Sequence, residues 1–413
     1  MSRLVIVGAS LAGLRAAQGA RNAGHDGELV IVGEELHRPY TRPPLSKELL
    51  TTAEHTVDDH LFPCGDLDVH WRLGEQATAL DPEAHTVALG DHALDYDRLI
   101  VATGCRARPW SGPGAELEGV HTIREVGDAI ALRAALTSGS PRLLIVGAGF
   151  IGCEVAASAR TLGVEVTLCD VAPLPMPALG ELVGERTAAL QRAHGVDLRL
   201  GQGITALVGD GAGHVAGVEL ADGSRLDADV VLVALGAIPN VDWLATSGLT
   251  LDGGLVCDAT LSAVGAPDVL AAGDVVAWPH PLGGEQPIRV EHWTNAAEQG
   301  TLAGRNATLA PADRAPYTAV PSFWSDQYDV KIQAVGLPRR AAGWRIVEAT
   351  PDGDRWMAIG ERDGRVVAAV AFNGARRLMV YRRAVGEATP VDELLAAVAA
   401  DEKAFGSPTG AAA

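Results

Sequence analysis

Apolar residues fall in short unbroken runs, and two of these runs open near-duplicate patterns. Leu4-Val5-Ile6-Val7 leads into Gly8-Ala9-Ser10-Leu11-Ala12-Gly13, then into an Ala/Arg-rich stretch that predicts a helix to about Ala23. A second run, Leu29 to Val32, ends at Gly33-Glu34-Glu35. The pattern returns at Leu143-Leu144-Ile145-Val146, followed by Gly147-Ala148-Gly149-Phe150-Ile151-Gly152 and a predicted helix to about Leu162. Its next strand runs from Val164 to Cys169 and ends at Asp170. Continuous apolar runs of this length, joined by helices, predict parallel strands buried on both faces in two βαβ units. Two more short strands are expected at Leu99–Ala102, closed by Thr103-Gly104, and at Val269–Ala272, closed by Gly273-Asp274. Later segments, Trp344 to Ile346, Trp356 to Gly360 and Val366 to Phe372, predict antiparallel strands.

The glycine spacing carries chemistry. The first glycine makes a tight turn, the second lets backbone approach a pyrophosphate, and the third lets the helix close on the strand. Amides at the helix N-terminus then face the phosphate charge. An acid ending the second strand can accept hydrogen bonds from a ribose, and Glu34 and Asp170 stand at that position. Ser10 replaces the second glycine in the first copy, so its side chain must point away from a phosphate or bond to it. Two dinucleotide sites suggest FAD and a nicotinamide. Asp170 would repel a 2′-phosphate, and residues 171–182 hold no Lys or Arg to bind one, so NADH is expected over NADPH at the second site. Asp274, at a strand end, could accept hydrogen bonds from a ribityl chain, which places FAD at the first site.

Composition narrows the class. With 413 residues, 47% of them hydrophobic and 21% charged, the chain can bury several cores. No apolar run has the length of a membrane span, and the strand pattern begins too early for a signal peptide to be expected. Cys64, Cys105, Cys153, Cys169 and Cys257 are widely spaced, which excludes a Cys-x-x-Cys dithiol or zinc finger and suits a reducing cytoplasm. No metal site is expected. The net charge of −19 opposes general affinity for nucleic acid or anionic membranes. That charge is uneven: residues 331–383 hold 11 basic and 5 acidic residues. Lysine is rare, with Lys47, Lys331 and Lys403 beside 30 arginines.

Tyr40-Thr41-Arg42-Pro43-Pro44-Leu45-Ser46-Lys47 contains no cysteine, where flavoprotein disulfide reductases carry a redox-active pair. The segment resembles the Arg-Pro-Pro-Leu-Ser-Lys run of the FAD-dependent ferredoxin reductases that serve bacterial oxygenases. Phe323-Trp324-Ser325-Asp326-Gln327-Tyr328 resembles the segment that opens that family's C-terminal domain, and the likeness extends over nearly the whole chain. The resemblance implies that Lys47 stands near flavin N5 and pairs with Glu154. It also implies that Arg42, Ala77, Arg124, Asp274 and Trp293 contact FAD, with Glu291 and His292 beside Trp293 at a helix start running to about Asn306. Trp324 would cover one side of the flavin cavity. Gly236, in the Val233 to Asn240 segment that ends the expected NAD domain, is a further candidate cofactor-binding residue. Where Trp293 stands, the family more often has a small or aliphatic residue.

The expected architecture is α/β, with two Rossmann-like dinucleotide-binding domains and a smaller α+β C-terminal domain. Residues 1–110 and 241–318 would bind FAD, 111–240 NAD, and 319–413 would form the third domain, with a disordered tail from about Gly406. The implied activity passes electrons from NADH through FAD to a small iron–sulfur ferredoxin. Arg339, Arg340, Arg376, Arg377, Arg382 and Arg383 are its candidate docking contacts. Alternatives on the same scaffold are a rubredoxin- or quinone-linked NADH reductase and an apoptosis-inducing-factor-like flavoprotein.

Overall fold

The structure is a computed structural model that describes residues 2–65, 67–284, 286–401 and 404. The tail expected to be disordered from Gly406, and Lys403, lie outside these residues. Two compact units form: Met1–Thr41 with His60–Arg106 and Ile238–Phe323, and Arg42–Asp59 with Ala107–Ala237 and Trp324–Ala413.

The first unit is built on a six-stranded sheet in the order 262–263, 266–271, 98–101, 3–7, 28–33, 70–73. All pairs are parallel except the antiparallel edge at Ser262–Ala263. Its strands carry Leu4 to Val7, Leu29 to Val32 and Leu99 to Val101, all buried, which is why the sequence shows unbroken apolar runs here. Helices Leu11–Asn22 and Trp293–Ala307 lie against each other at very close range. A Cβ at Gly304 would come within 2.0 Å of the Ala16 carbonyl oxygen, and one at Gly300 within 2.4 Å of the Ala12 oxygen. Only hydrogen at these positions allows the two backbones to approach so closely.

The second unit holds a fully parallel five-stranded sheet in the order 197–200, 165–170, 142–146, 230–233, 120–121. It also holds a five-stranded sheet in the order 322–327, 330–336, 365–372, 356–362, 343–349. The latter's last three strands pair antiparallel, as their sequences suggested, and 330–336 joins 365–372 in the same sense. Segment 42–59 follows the first nucleotide turn in the chain. By packing it belongs to the second unit. Arg133 Nη1, on helix Val126–Thr137, donates to the Leu49 and Thr52 carbonyls at 3.1 and 3.0 Å, and Ser158 Oγ donates to the Ser46 carbonyl at 2.6 Å. These short turns bury Leu45, Leu49 and Leu50, which neighbouring helices cover.

Candidate active site

The first glycine turn has the geometry a pyrophosphate needs. Gly8 lies at φ +123, and a Cβ there would fall 2.1 Å from the Ala102 carbonyl oxygen. A Cβ at Gly13 would stand 1.9 Å from the Gly8 carbonyl oxygen, so the third glycine is what lets the helix close on the turn. Ser10 is the N-cap of the Leu11–Asn22 helix at φ −116, ψ −159, backbone that any residue adopts. The missing glycine therefore brings no strain, and Leu11 and Ala12 follow as buried first-turn residues. Glu34 is exposed just past strand Glu28–Gly33.

Other predicted cofactor residues gather in the same unit. Thr103 Oγ1 donates to the Asn240 carbonyl at 2.8 Å and Asn240 Nδ2 donates back to the Thr103 carbonyl at 3.0 Å, which fixes the turn at Gly104. Gly273 N donates to Gln299 Oε1 at 2.9 Å, and the neighbouring Asp274 carboxylate, 9% exposed, accepts from Cys105 Sγ at 3.3 Å. Ala77 packs half-buried against the core. Arg289 Nη1 meets Glu291 Oε1 at 2.5 Å. His292 is the N-cap of the 15-residue helix Trp293–Ala307. Burial pushes its imidazole down to about 4, against the opposing charge of Asp274, and its ring lies 4.3 Å from that of Phe323. Trp293 tilts against Phe62 at 6.3 Å.

From the N-cap into the second turn of this helix, His292 Nδ1, Asn295 Oδ1 and Gln299 Nε2 are buried with no protein partner. Buried polar atoms are rarely left so, and three along the first two turns of one helix suit a large polar ligand. A flavin fits this donor and acceptor set. Sequence reading missed Asn295 and Gln299; their signal was two amides four residues apart on a face otherwise small and apolar.

The second glycine turn repeats the first. Gly147 lies at φ +107 with its missing Cβ 2.4 Å from the Ala234 carbonyl oxygen, and a Cβ at Gly152 would stand 1.9 Å from the Gly147 oxygen. Gly149 and Gly236 face open space. Phe150 is half-buried and Ile151 is 41% exposed at the head of helix Phe150–Thr161. Asp170 accepts from Ala148 N at 2.6 Å on one oxygen and Ala172 N at 2.8 Å on the other. The backbone thus aims this carboxylate at the loop, with lone pairs left for a ribose. Buried Cys153 and Cys169 have thiols raised by burial, Cys169 to about 12, so neither is a reactive thiolate.

Lys47 and Glu154 are brought together. Lys47 Nζ donates to Glu154 Oε2 at 2.6 Å, with side-chain exposures of 18% and 6%. Ser46 Oγ donates to the same oxygen at 2.6 Å, and Ser325 Oγ to Oε1 at 2.8 Å. In the same unit Arg42 Nη1 donates to the Arg124 carbonyl at 2.7 Å, and Trp324 is half-buried in strand Ser322–Gln327.

One docking arginine must be withdrawn. Arg377 is 8% exposed, and its guanidinium bonds Glu348 at 2.8 Å and Asp401 at 2.5 Å, with Tyr381 also bonded to Glu348. It neutralises a buried carboxylate. The paired-arginine pattern hid this because helix Ala375–Gly386 turns Arg376 and Arg377 to different faces. Arg339, Arg376 and Arg383 are exposed, Arg340 and Arg382 partly so.

The sequence model for pyridine nucleotide-disulphide oxidoreductases matches residues 2–300, and that for the reductase C-terminal domain matches 322–404. The chain belongs to the pyridine nucleotide-disulphide oxidoreductase family. Within it, rhodocoxin reductase of Rhodococcus erythropolis is 36% identical, over 91% of this chain and 85% of the relative. The biphenyl dioxygenase system ferredoxin–NAD(+) reductase component of Paraburkholderia xenovorans is 35% identical, over 93% of each chain. The reductase in the covalent putidaredoxin reductase–putidaredoxin complex superposes with a TM-score of 0.87 at 30% identity, covering 95% of both chains. The family's name refers to disulphides, yet all five cysteines here are free. No helix among the described residues is long and apolar enough to cross a membrane.

Proposed function

We propose that the chain is an FAD-dependent NADH:ferredoxin oxidoreductase that feeds an oxygenase system from the cytoplasm. The observation that carries this reading is the Lys47–Glu154 ion pair, which joins the cysteine-free segment 40–47 to the helix that follows the second nucleotide turn. Bound FAD supplies the step between a two-electron hydride donor and a one-electron iron–sulfur acceptor.

The residues supply binding, orientation and charge. The Gly8–Gly13 turn, with Ser10, Leu11 and Ala12, holds the FAD pyrophosphate on helix amides, and Glu34 takes the adenosine ribose. Thr103, Gly104, Gly273 and Asp274 would hold the ribityl chain, and the positive end of the helix that starts at Glu291-His292-Trp293 would stabilise negative charge on the ring. Ala77, Arg42, Arg124 and Trp324 would be further flavin contacts. Lys47 provides a compact cation where negative charge arrives, and Glu154 keeps that cation in place. The Gly147–Gly152 turn, with Phe150, Ile151 and Gly236, receives NADH. Asp170 accepts from its ribose hydroxyls and repels a 2′-phosphate, which favours NADH over NADPH.

The electron acceptor is read as a ferredoxin, the partner named for the relatives. Exposed Arg339, Arg376 and Arg383, with Arg340 and Arg382, would form its positive docking face. The test is steady-state reduction of cytochrome c by the purified yellow protein with NADH. Turnover should require added ferredoxin; equal turnover without it, or faster turnover with NADPH, would refute the corresponding part of the reading.

A further inference from the structure

Side chains alternate along strand Ser322–Gln327, so Ser325 and Gln327 share one face, and both are fully buried. Ser325 Oγ donates to Glu154 Oε1 at 2.8 Å, while Lys47 and Ser46 donate to Oε2. Behind Ser325 the chain continues. Gln327 Nε2 donates to Ser325 Oγ at 3.3 Å, Gln191 Nε2 to Gln327 Oε1 at 3.0 Å, and Tyr328 OH to Gln191 Oε1 at 3.0 Å. Gln191 also donates to the Cys153 carbonyl, in the helix that carries Glu154.

The direction of this chain follows from its end. A carboxylate only accepts, so Ser325 gives it the hydroxyl proton and must itself accept from Gln327. That orients both amides in turn and requires Tyr328 to donate. Burial raises the Tyr328 phenol to about 12, so the donor is present throughout the neutral range. Tyr328 sits at φ +55, unfavourable for a bulky residue, with its ring stacked 3.5 Å from that of His194. Backbone strain of this kind persists only where surrounding contacts impose it.

A carboxylate with donors on both oxygens cannot rotate without losing one of them. We propose that Ser325, held by Gln327, Gln191 and Tyr328, is a positioning residue for flavin reduction: it fixes the Glu154 carboxylate, and through it the Lys47 ammonium. The step it serves moves a hydride from NADH to FAD and releases NAD+. The proposal rests on the reading of Lys47 and Glu154 as the pair beside the flavin. A purely structural Ser325 would stabilise the packing of its strand and leave the chemistry alone.

The experiment compares the FAD-loaded wild type with Ser325→Ala, Ser325→Cys, Lys47→Gln and the Ser325→Ala/Lys47→Gln double variant. It reads the limiting rate of flavin reduction, the NADH Kd, the flavin midpoint potential and the thermal midpoint. Ser325→Ala should lower the limiting rate roughly tenfold, the scale of one hydrogen bond to a charged group, and leave the NADH Kd within about twofold. The midpoint potential should fall with it, and Ser325→Cys, a weaker donor, should lie between alanine and wild type. In the Lys47→Gln background Ser325→Ala should change the rate less than about twofold, because both act through one carboxylate. Rate and potential that hold while only the thermal midpoint drops would overturn the proposal, as would an undiminished effect in the Lys47→Gln background. If Lys47→Gln alone alters neither rate nor potential, the reading of the pair itself fails. Should Ser325→Ala not fold, Ser325→Cys carries the same comparison.

Discussion

Lys47 and Glu154 lie 107 residues apart in sequence and meet at 2.6 Å, with the carboxylate almost wholly buried. Removing either partner leaves a charge with low solvation and no counter-ion, while removing both leaves none. Replacing Lys47 with Gln or Glu154 with Gln should each slow flavin reduction by NADH about tenfold or more. The double variant should lose less than the product of the two losses. Rapid-mixing rates within twofold of wild type in both single variants would remove the pair from the reaction.

Two backbone amides hold the Asp170 carboxylate in place, and on the proposed reading it selects the coenzyme. Asp170→Ala should raise the NADH KM about tenfold, the scale of one or two lost hydrogen bonds, and narrow the preference over NADPH. Competing steady-state assays with the two coenzymes measure both effects.

Acceptor docking should depend on salt. Ferredoxin-dependent turnover is expected to fall between about 50 and 300 mM salt, as screening shortens the Debye length to well under 10 Å. Direct flavin reduction by NADH should change little over the same range. Reversing Arg339 and Arg376 to Glu should raise the ferredoxin KM and flatten the salt response. Reversing Arg377 should instead unfold the C-terminal region, since Glu348 is 0% exposed and would lose its counter-charge.

One substitution should have opposite effects at two glycines. Gly304→Ala drives a methyl to 2.0 Å from the Ala16 carbonyl oxygen and should cost about 1–3 kcal/mol or prevent folding. Gly127→Ala, in helix Val126–Thr137 with nothing within 4 Å, should stabilise by about 0.5 kcal/mol. Urea unfolding midpoints of the two variants decide the comparison.

His292 should make the fold acid-sensitive. Its imidazole is depressed from 6.5 to about 4 by burial, so the folded state favours the neutral ring. The stability this contributes is complete above pH 6.5 and is lost as pH falls from there through 4. Replacing His292 with Gln should reduce the acid dependence of the urea midpoint within that window, without affecting it above pH 7.

The sequence by itself determined the two strand–turn–helix units and the acids at their strand ends, because each is local. Doubly buried strands must read as apolar runs, and a turn at φ near +110 with backbone at van der Waals range must use glycine, as Gly8 and Gly147 do. Charge balance likewise marked residues 331–383 as a basic stretch, but not which arginines reach solvent. Tertiary structure decided that: Arg376 faces water while Arg377 neutralises Glu348. It also packed segment 42–59 into the second unit and enclosed Glu154 between Ser46, Lys47 and Ser325. No local pattern specifies these contacts. A serine or glutamine has no periodic signature, and its partner is whichever donor or acceptor the fold buries beside it, here 108 and 171 residues away in the chain.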